Sequence, residues 1–380
     1  MASPARVLTE AFEAKFHSTP EVFRAPGRVN LIGEHTDYNF GFVLPIAIDM
    51  ACYAASALNG DAMLRIHSIN AGQSREWPVH RIPHVLPQKD WSDYVVGVAR
   101  QFPKLRPRNV MVYGTVPLGS GLSSSAALEV SSALALGWQN PGHPSLKLAK
   151  LCQAAENHFV GLPSGIMDQY ASVFGHEHAA LLIDCRSLES EYVSLPENVA
   201  IVAVNTMVKH ELGQSAYRER VAECALAVEE IRAAGGVAIE SLRDATEEHL
   251  AMISDEVARK RARHVISENH RVQEFVAACR ASKLEEMGRL FVASHRSLQH
   301  DYEVSCEELD FLVDTAIATT GVYGARMTGG GFGGCTVNLV DPGAVDRVEE
   351  TLHGAYRQRF GIDPAFYRVR PSQGAGPVEV

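Results

Sequence analysis

The 380-residue chain is 46% hydrophobic and 21% charged, a globular balance that argues against disorder and, at this length, for two packed lobes. Its formal net charge of −10 argues against a nucleic-acid partner, so a polyphosphate ligand has to be held by local devices such as backbone N–H groups, a helix end or a divalent cation. Seven cysteines without a Cys-x-x-Cys spacing, no apolar run of the ~18 residues a membrane span needs, and acidic Glu10 and Glu13 near the start together predict a soluble, cytoplasmic protein.

Residues 5–16 predict a short amphipathic helix, with Leu8, Phe12 and Phe16 at four-residue spacing. From Val22 to Ala57 extended stretches alternate with turn chemistry at Pro26-Gly27, Asp37-Tyr38-Asn39 and Gly41. Strands are expected over Val43–Met50, Met63–Ile69 and Val110–Val116. Ser125–Trp138 is rich in Ala, Leu and Val on nearly every face and predicts a buried helix. Further helices are expected over Ser145–Val160, closed by Gly161 and Pro163, and over Ile166–Phe174, with Ser164 as candidate N-cap. Ala179–Ile183 and Val199–Val204 read as strands. Helical periodicity then dominates to about Thr320, as in Tyr217–Ala233 and Val257–Arg280, before Val337–Leu339 and Tyr367–Val369 return as strands. The lobe boundary falls near residue 190, giving lobes 1–190 and 191–380.

Three clusters carry chemistry. Pro117-Leu-Gly-Ser-Gly-Leu-Ser-Ser-Ser-Ala-Ala127 lies between a strand and a buried helix. Glycines there let the backbone approach a ligand, the helix N-terminus offers unpaired N–H groups, and one serine can ligate Mg²⁺. It is not the lysine-containing P-loop, and no His-Arg-Asp or Asp-Phe-Gly element of protein kinases occurs. Met327-Thr-Gly-Gly-Gly-Phe-Gly-Gly-Cys335 matches Gly-x-Gly-x-x-Gly, but follows helical sequence without a βαβ unit. It reads as a loop that approaches a substrate or the other glycine-rich loop rather than as a dinucleotide site. Gly27-Arg-Val-Asn-Leu-Ile-Gly-Glu-His-Thr-Asp-Tyr-Asn39 gathers Arg28, Glu34, His35 and Asp37. That mixture suits a polyhydroxylated ligand, whose hydroxyls carboxylates accept. Glu156 and Asp168 flank Gly161-Leu-Pro-Ser-Gly165, and Asp168 in a first helical turn beside the cation Arg28 is a candidate base.

These clusters resemble the three motifs of the GHMP sugar and metabolite kinases, and Gly27 to Asn39 is similar to the galactokinase signature in particular. The likeness continues through Gly165-Ile-Met-Asp-Gln169, Leu182-Ile-Asp-Cys-Arg-Ser187, Ser294-His-Arg-Ser-Leu298 and Asp301-Tyr-Glu-Val-Ser-Cys306. The resemblance implies an α+β fold of two lobes, ribosomal-protein-S5-like at the N-terminus and ferredoxin-like at the C-terminus. It implies ATP-dependent, Mg²⁺-assisted phosphorylation of the C1 hydroxyl of galactose by a monomer. Glu34, His35, Thr36, Asp37, Gly165 and Tyr217 would bind the sugar, with Asp168 as base and Arg28 orienting it. Gly119, Ser120, Gly121, Leu122, Ser123, Ser124 and Ser125 would wrap the ATP phosphates, and Ser68 would touch the nucleotide. Ser125 and Glu156 would hold Mg²⁺. An N-acetylgalactosamine kinase and a non-catalytic galactose sensor of the same fold are the alternatives; the sensor predicts a damaged phosphate loop, yet Ser123 to Ala127 is uninterrupted.

Overall fold

The computed structural model describes residues 2–139, 143–209, 213–235 and 238–379. Helix α1 (Pro4–Phe16) starts at Ser3, whose hydroxyl accepts the Arg6 N–H, and buries Leu8 and Phe12 against Val22, Ala55 and Met111. There follow β1 (Glu21–Asn30), β2 (Phe42–Val43), β3 (Pro45–Leu58), β4 (Met63–Ser68), β5 (Gln73–Pro78), α2 (Ser92–Ala99) and β6 (Arg108–Gly114). Helix α3 (Ser124–Ala135) is almost wholly buried, as its apolar composition dictates, and packs on β1 and β3. Next come α4 (Leu146–Ala155), a π-turn over Glu156–Val160, α5 (Met167–Phe174), β7 (Ala179–Asp184) and β8 (Ser190–Ser194).

The second half holds β9 (Ala200–Lys209), α6 (Gly213–Gly235), α7 (Glu256–Arg280), α8 (Leu284–Ser297), a π-turn over Leu298–Tyr302 and α9 (Glu307–Ile317). It closes with β10 (Val322–Thr328), β11 (Gly333–Val340), α10 (Val345–Phe360), β12 (Ala365–Val369) and β13 (Gly376–Pro377). The strands form three sheets, ordered β13-β1-β3-β6-β4-β5, β10-β11-β9-β12 and β2-β7-β8. Every residue of β11 is buried, because α9 and α10 cover one face of its sheet while apolar residues of α7 and α8 pack on the other.

The chain has the two-part α+β fold expected of it, and one apolar core runs through both parts. Phe23, Val29, Val130, Phe275, Phe291 and Val337 belong to it together. The tail returns to the first sheet, where β13 pairs with β1. Strand β8 pairs with β7, so hydrogen bonding continues past residue 190. The second glycine cluster does follow a strand, β10, contrary to the helical reading. Its turn joins β10 to β11 in an antiparallel hairpin rather than a βαβ unit, so the dinucleotide reading still finds no support. No helix among the described residues is long and apolar enough to cross a membrane.

Candidate functional site

The loop from β6 to α3 holds left-handed backbone at Gly119 (φ 70°), Gly121 (φ 78°) and Ser123 (φ 58°). At Ser123 this costs about 1 kcal/mol. Its hydroxyl does not cap α3; it donates to a carboxylate oxygen of Asp168. The N-terminus of α3 is thus left facing a cavity of about 320 Å³ lined by Gly119, Gly121, Ser123, Ser124 and Ser125. Free N–H groups and the positive end of the helix make this a place for anions. The β10–β11 turn fastens the loop from behind. A Cβ on Gly329 would lie 3.0 Å from the Gly121 carbonyl, and one on Gly334 would lie 3.1 Å from that of Ser120.

Arg28 sits just past a register shift in the β1–β3 pairing, which re-aims its side chain. Its Nε and one terminal nitrogen donate to the two oxygens of Asp168 at 2.7 and 2.8 Å, and the other nitrogen donates to the Gly121 carbonyl. One buried guanidinium therefore grips both the carboxylate in the first turn of α5 and the glycine–serine loop before α3.

The turn after β1 supplies the second wall. Glu34 is buried, accepts from Asn30, from the Thr328 hydroxyl at 3.2 Å and from the Gly329 N–H, and lies 3.7 Å from Arg326. Burial raises its pKa; Arg326 and Arg28 oppose the rise. Arg326, itself fully buried on β10, also lies 3.8 Å from Glu268 and donates to the Leu31 carbonyl at 2.7 Å. Burial alone would raise Glu268, but Arg271, His264 and Arg326 outweigh it and pull it down to about 2. His35 (φ 60°) is buried, and burial followed by the charge of His264 lowers it to about 3, so the ring is neutral. Asp37 is pushed up to about 7, first by burial and then by the nearby charge of Asp168. It stands so close to Gly165 that a Cβ there would overlap the carboxylate.

Glu156, at the start of its π-turn, accepts from the Ser164 hydroxyl and from Gln169 at 2.9 Å; burial raises its pKa. The same Gln169 amide bridges to buried Glu129 at 2.9 Å.

Three family profiles match the chain: the galactokinase galactose-binding signature over residues 10–58, the GHMP kinase N-terminal domain over 93–176 and the GHMP kinase C-terminal domain over 275–358. It is 41% identical to the galactokinase of Thermotoga maritima, covering 92% of this chain and 98% of that one. It is likewise 41% identical to the galactokinase of Homo sapiens, covering 98% and 96%. The chain belongs to the galactokinase family. It is accordingly a sugar kinase of the GHMP fold. Lactococcus lactis galactokinase, solved in complex with galactose, superposes with a TM-score of 0.94 at 35% identity over 99% of this chain and 100% of that one. Methanococcus jannaschii mevalonate kinase shares the fold, with a TM-score of 0.64 at 18% identity over 94% and 99%.

The cavity brings together Arg28, Glu34, His35, Asp37, Gly119, Gly121, Ser123, Ser124, Ser125, Glu156, Gly165, Asp168 and Tyr217. Four expected residues stand elsewhere. Thr36 turns its hydroxyl inward, donating to the Gly33 and Phe42 carbonyls at 2.9 and 2.7 Å, and so braces the turn after β1 rather than lining the cavity. Ser120 is buried and donates to the Pro117 carbonyl at 2.8 Å, while Leu122 is in the core and offers its carbonyl to the Arg28 N–H. Ser68, at the end of β4, lines a neighbouring, more apolar cavity of about 200 Å³ with Trp91, Val112, Val116, Leu118 and Leu128. Ser124 lines both cavities. Ser164 is not the N-cap of α5: its hydroxyl goes to Glu156. Tyr94, Leu162, Met167 and Gly330 also line the first cavity; the last three fall within motif segments that gave them no role of their own, and Tyr94 lies in no motif.

Proposed function

We propose that the chain transfers the terminal phosphoryl group of ATP to the C1 hydroxyl of galactose, giving galactose 1-phosphate and ADP. The observation that carries this reading is the double grip of Arg28 on Asp168 and on Gly121, which puts a carboxylate base and a phosphate loop side by side. Phosphoryl transfer needs in-line positioning and neutralisation of charge on the moving group more than covalent chemistry. The N-terminus of α3 and the loop N–H groups face the phosphates. Asp168 accepts the C1 proton, and Arg28 holds its carboxylate in the plane that does so. Glu34, His35, Asp37 and Tyr217 take the remaining hydroxyls, and the apolar cavity beside Ser68 takes the adenine ring.

Ser125 and Glu156 line the same cavity, the Ser125 hydroxyl near enough to favour the charged Glu156 carboxylate, and offer hard oxygen donors of the kind Mg²⁺ prefers. Among the described residues no group of three or more His, Cys, Asp or Glu could hold a metal. Two oxygen donors fit Mg²⁺, which is commonly held by one or two protein groups with phosphates and waters filling the rest. When bound, Mg²⁺ would neutralise phosphate charge. The uninterrupted phosphate loop favours a catalyst over a sensor.

A coupled assay of ADP release with galactose, glucose, N-acetylgalactosamine and arabinose tests the proposal. Magnesium-dependent turnover greatest on galactose is expected. A chain that binds galactose but releases no ADP is a sensor, and faster turnover of N-acetylgalactosamine overturns the substrate. In the same assay Asp168→Asn is expected to lower turnover by roughly 10²- to 10⁴-fold while galactose affinity changes far less. Equal losses would make Asp168 a binding residue only.

A further inference from the structure

Behind the sugar wall a file of side chains leads from His35 into the second half of the chain, and the transfer chemistry makes no use of it. His35 Nδ1 lies 2.8 Å from the Tyr38 hydroxyl, that hydroxyl 2.7 Å from the Tyr302 hydroxyl, and the latter 3.1 Å from Cys224 Sγ. The Asn39 amide donates to the same sulfur at 3.6 Å and to the His35 carbonyl at 3.0 Å. The His35 and Tyr302 rings stand 4.8 Å apart. At the near end, His35 lines the cavity beside Gly330; its Nε2 is buried without a well-aligned hydrogen bond, with the Gly330 backbone within reach of the ring.

We propose that Tyr38, Tyr302 and Cys224 form a hydrogen-bonded chain that fixes His35 in the tautomer with its proton on Nε2, making it a donor to an oxygen of the sugar. The direction follows from the far end. The carbonyl of His35 fixes which end of the Asn39 amide is nitrogen, so Asn39 donates to the sulfur. Sulfur is a weak acceptor, and having received one bond it is better used as an S–H donor to the phenol oxygen beside it. Tyr302 then donates to Tyr38, and Tyr38 donates to Nδ1. A neutral imidazole has one proton, which is left on Nε2.

The polarity complements the rest of the wall. Glu34, Asp37 and Asp168, when ionised, only accept from sugar hydroxyls, and Arg28 is spent on Asp168 and Gly121. A sugar oxygen that must accept therefore needs a donor such as His35, alongside the Tyr217 hydroxyl. Tyr38, Tyr302 and Cys224 act through His35 and are positioning residues.

The proposal rests on the galactose reading for its kinetic effect, but the tautomer is read without turnover. In the full chain labelled with ¹⁵N-histidine, the His35 nitrogens, assigned by difference from His35→Gln, are expected to show the Nε2–H form. Tyr302→Phe cuts the file in the middle. It should mix the tautomers and raise KM for galactose about five- to tenfold, the effect of one hydrogen bond, with kcat and KM for ATP within about twofold. Should Tyr302→Phe not fold, Cys224→Ala cuts the far end with the same two readouts, and Cys224→Ser restores a donor and reverses them. An Nδ1–H ring in the parent chain, or a tautomer unmoved by either cut, overturns the proposal. So does an equal loss in galactose KM, ATP KM and kcat, which marks a merely structural role. If galactose is not turned over, the substrate assignment fails while the tautomer still decides the file.

Discussion

Replacing Gly165 by alanine is the sharpest perturbation the sugar wall offers. Gly165 does not use left-handed backbone, so alanine costs the main chain little. The new methyl would, however, lie 2.8 Å from Asp37 Cβ and nearer still to its carboxylate. Ordinary carbon contacts begin near 3.5–4 Å, so the Asp37 carboxylate has to withdraw by roughly 1.5 Å. Displacement of about 1 Å in a positioned group is enough to cost roughly 100-fold in rate. Steady-state kinetics with each substrate varied in turn should therefore give a kcat/KM for galactose lowered about 100-fold, with KM for ATP within about twofold. A galactose kcat/KM within threefold of the parent would refute the reasoning, since it would mean that Asp37 is either free to move or not a sugar ligand. Asp37→Ser added to Gly165→Ala should cost less than the sum of the two, because both act on one carboxylate.

Asp37 also sets a pH dependence. Its pKa rises from 3.8 unfolded to about 7 folded, so between those values the native chain holds a proton that the unfolded chain has lost. Its contribution to stability is full below about pH 4 and falls as pH rises to about 7. Sugar hydroxyls donating to this carboxylate favour its charged form, so galactose binding near pH 6.5 should release protons. Calorimetry in two buffers of different ionisation enthalpy measures this, and proton uptake would contradict it. Arg326→Met leaves Glu34 and Glu268 buried without their shared cation and should destabilise by about 3–5 kcal/mol in chemical denaturation; a loss below about 1 kcal/mol would show the network to be slack. Ser125→Ala should raise the magnesium concentration for half-maximal turnover roughly tenfold at fixed ATP, and an unmoved midpoint would remove Ser125 from the metal site.

Local chemistry made much of the site readable from sequence. Gly119, Gly121 and the serines before α3 are legible as a turn opening onto a helix N-terminus because the turn and the helix start are both sequence-local. Arg28 and Asp168 were legible as a cation and a first-turn acid, although nothing in sequence measures the bidentate contact between residues 140 apart. Thr36 and Ser120 show the converse. Their motifs mark functional turns, but each short hydroxyl satisfies backbone carbonyls of its own turn, which sequence cannot distinguish from reaching a ligand. Arg326 was invisible because a charged residue within a strand gives no sign that it will be buried against Glu34 and Glu268. The strand before Gly329 was hidden by the helical periodicity upstream of it, and Tyr94 by the apolar face of α2.

The clasp between the β10–β11 turn and the phosphate loop bears on how the molecule can be divided. Nearly all the named chemistry, Tyr217 apart, lies in the first 190 residues, which read like a self-sufficient unit. Yet Glu34 is fastened by Thr328, Gly329 and Arg326, and the turn carrying Gly329 abuts Gly121. A truncated chain would keep every catalytic name and lose the scaffolding that aims it. Deletions and insertions near residues 326–334 should therefore behave as active-site lesions, however distant they stand from the signature in the sequence.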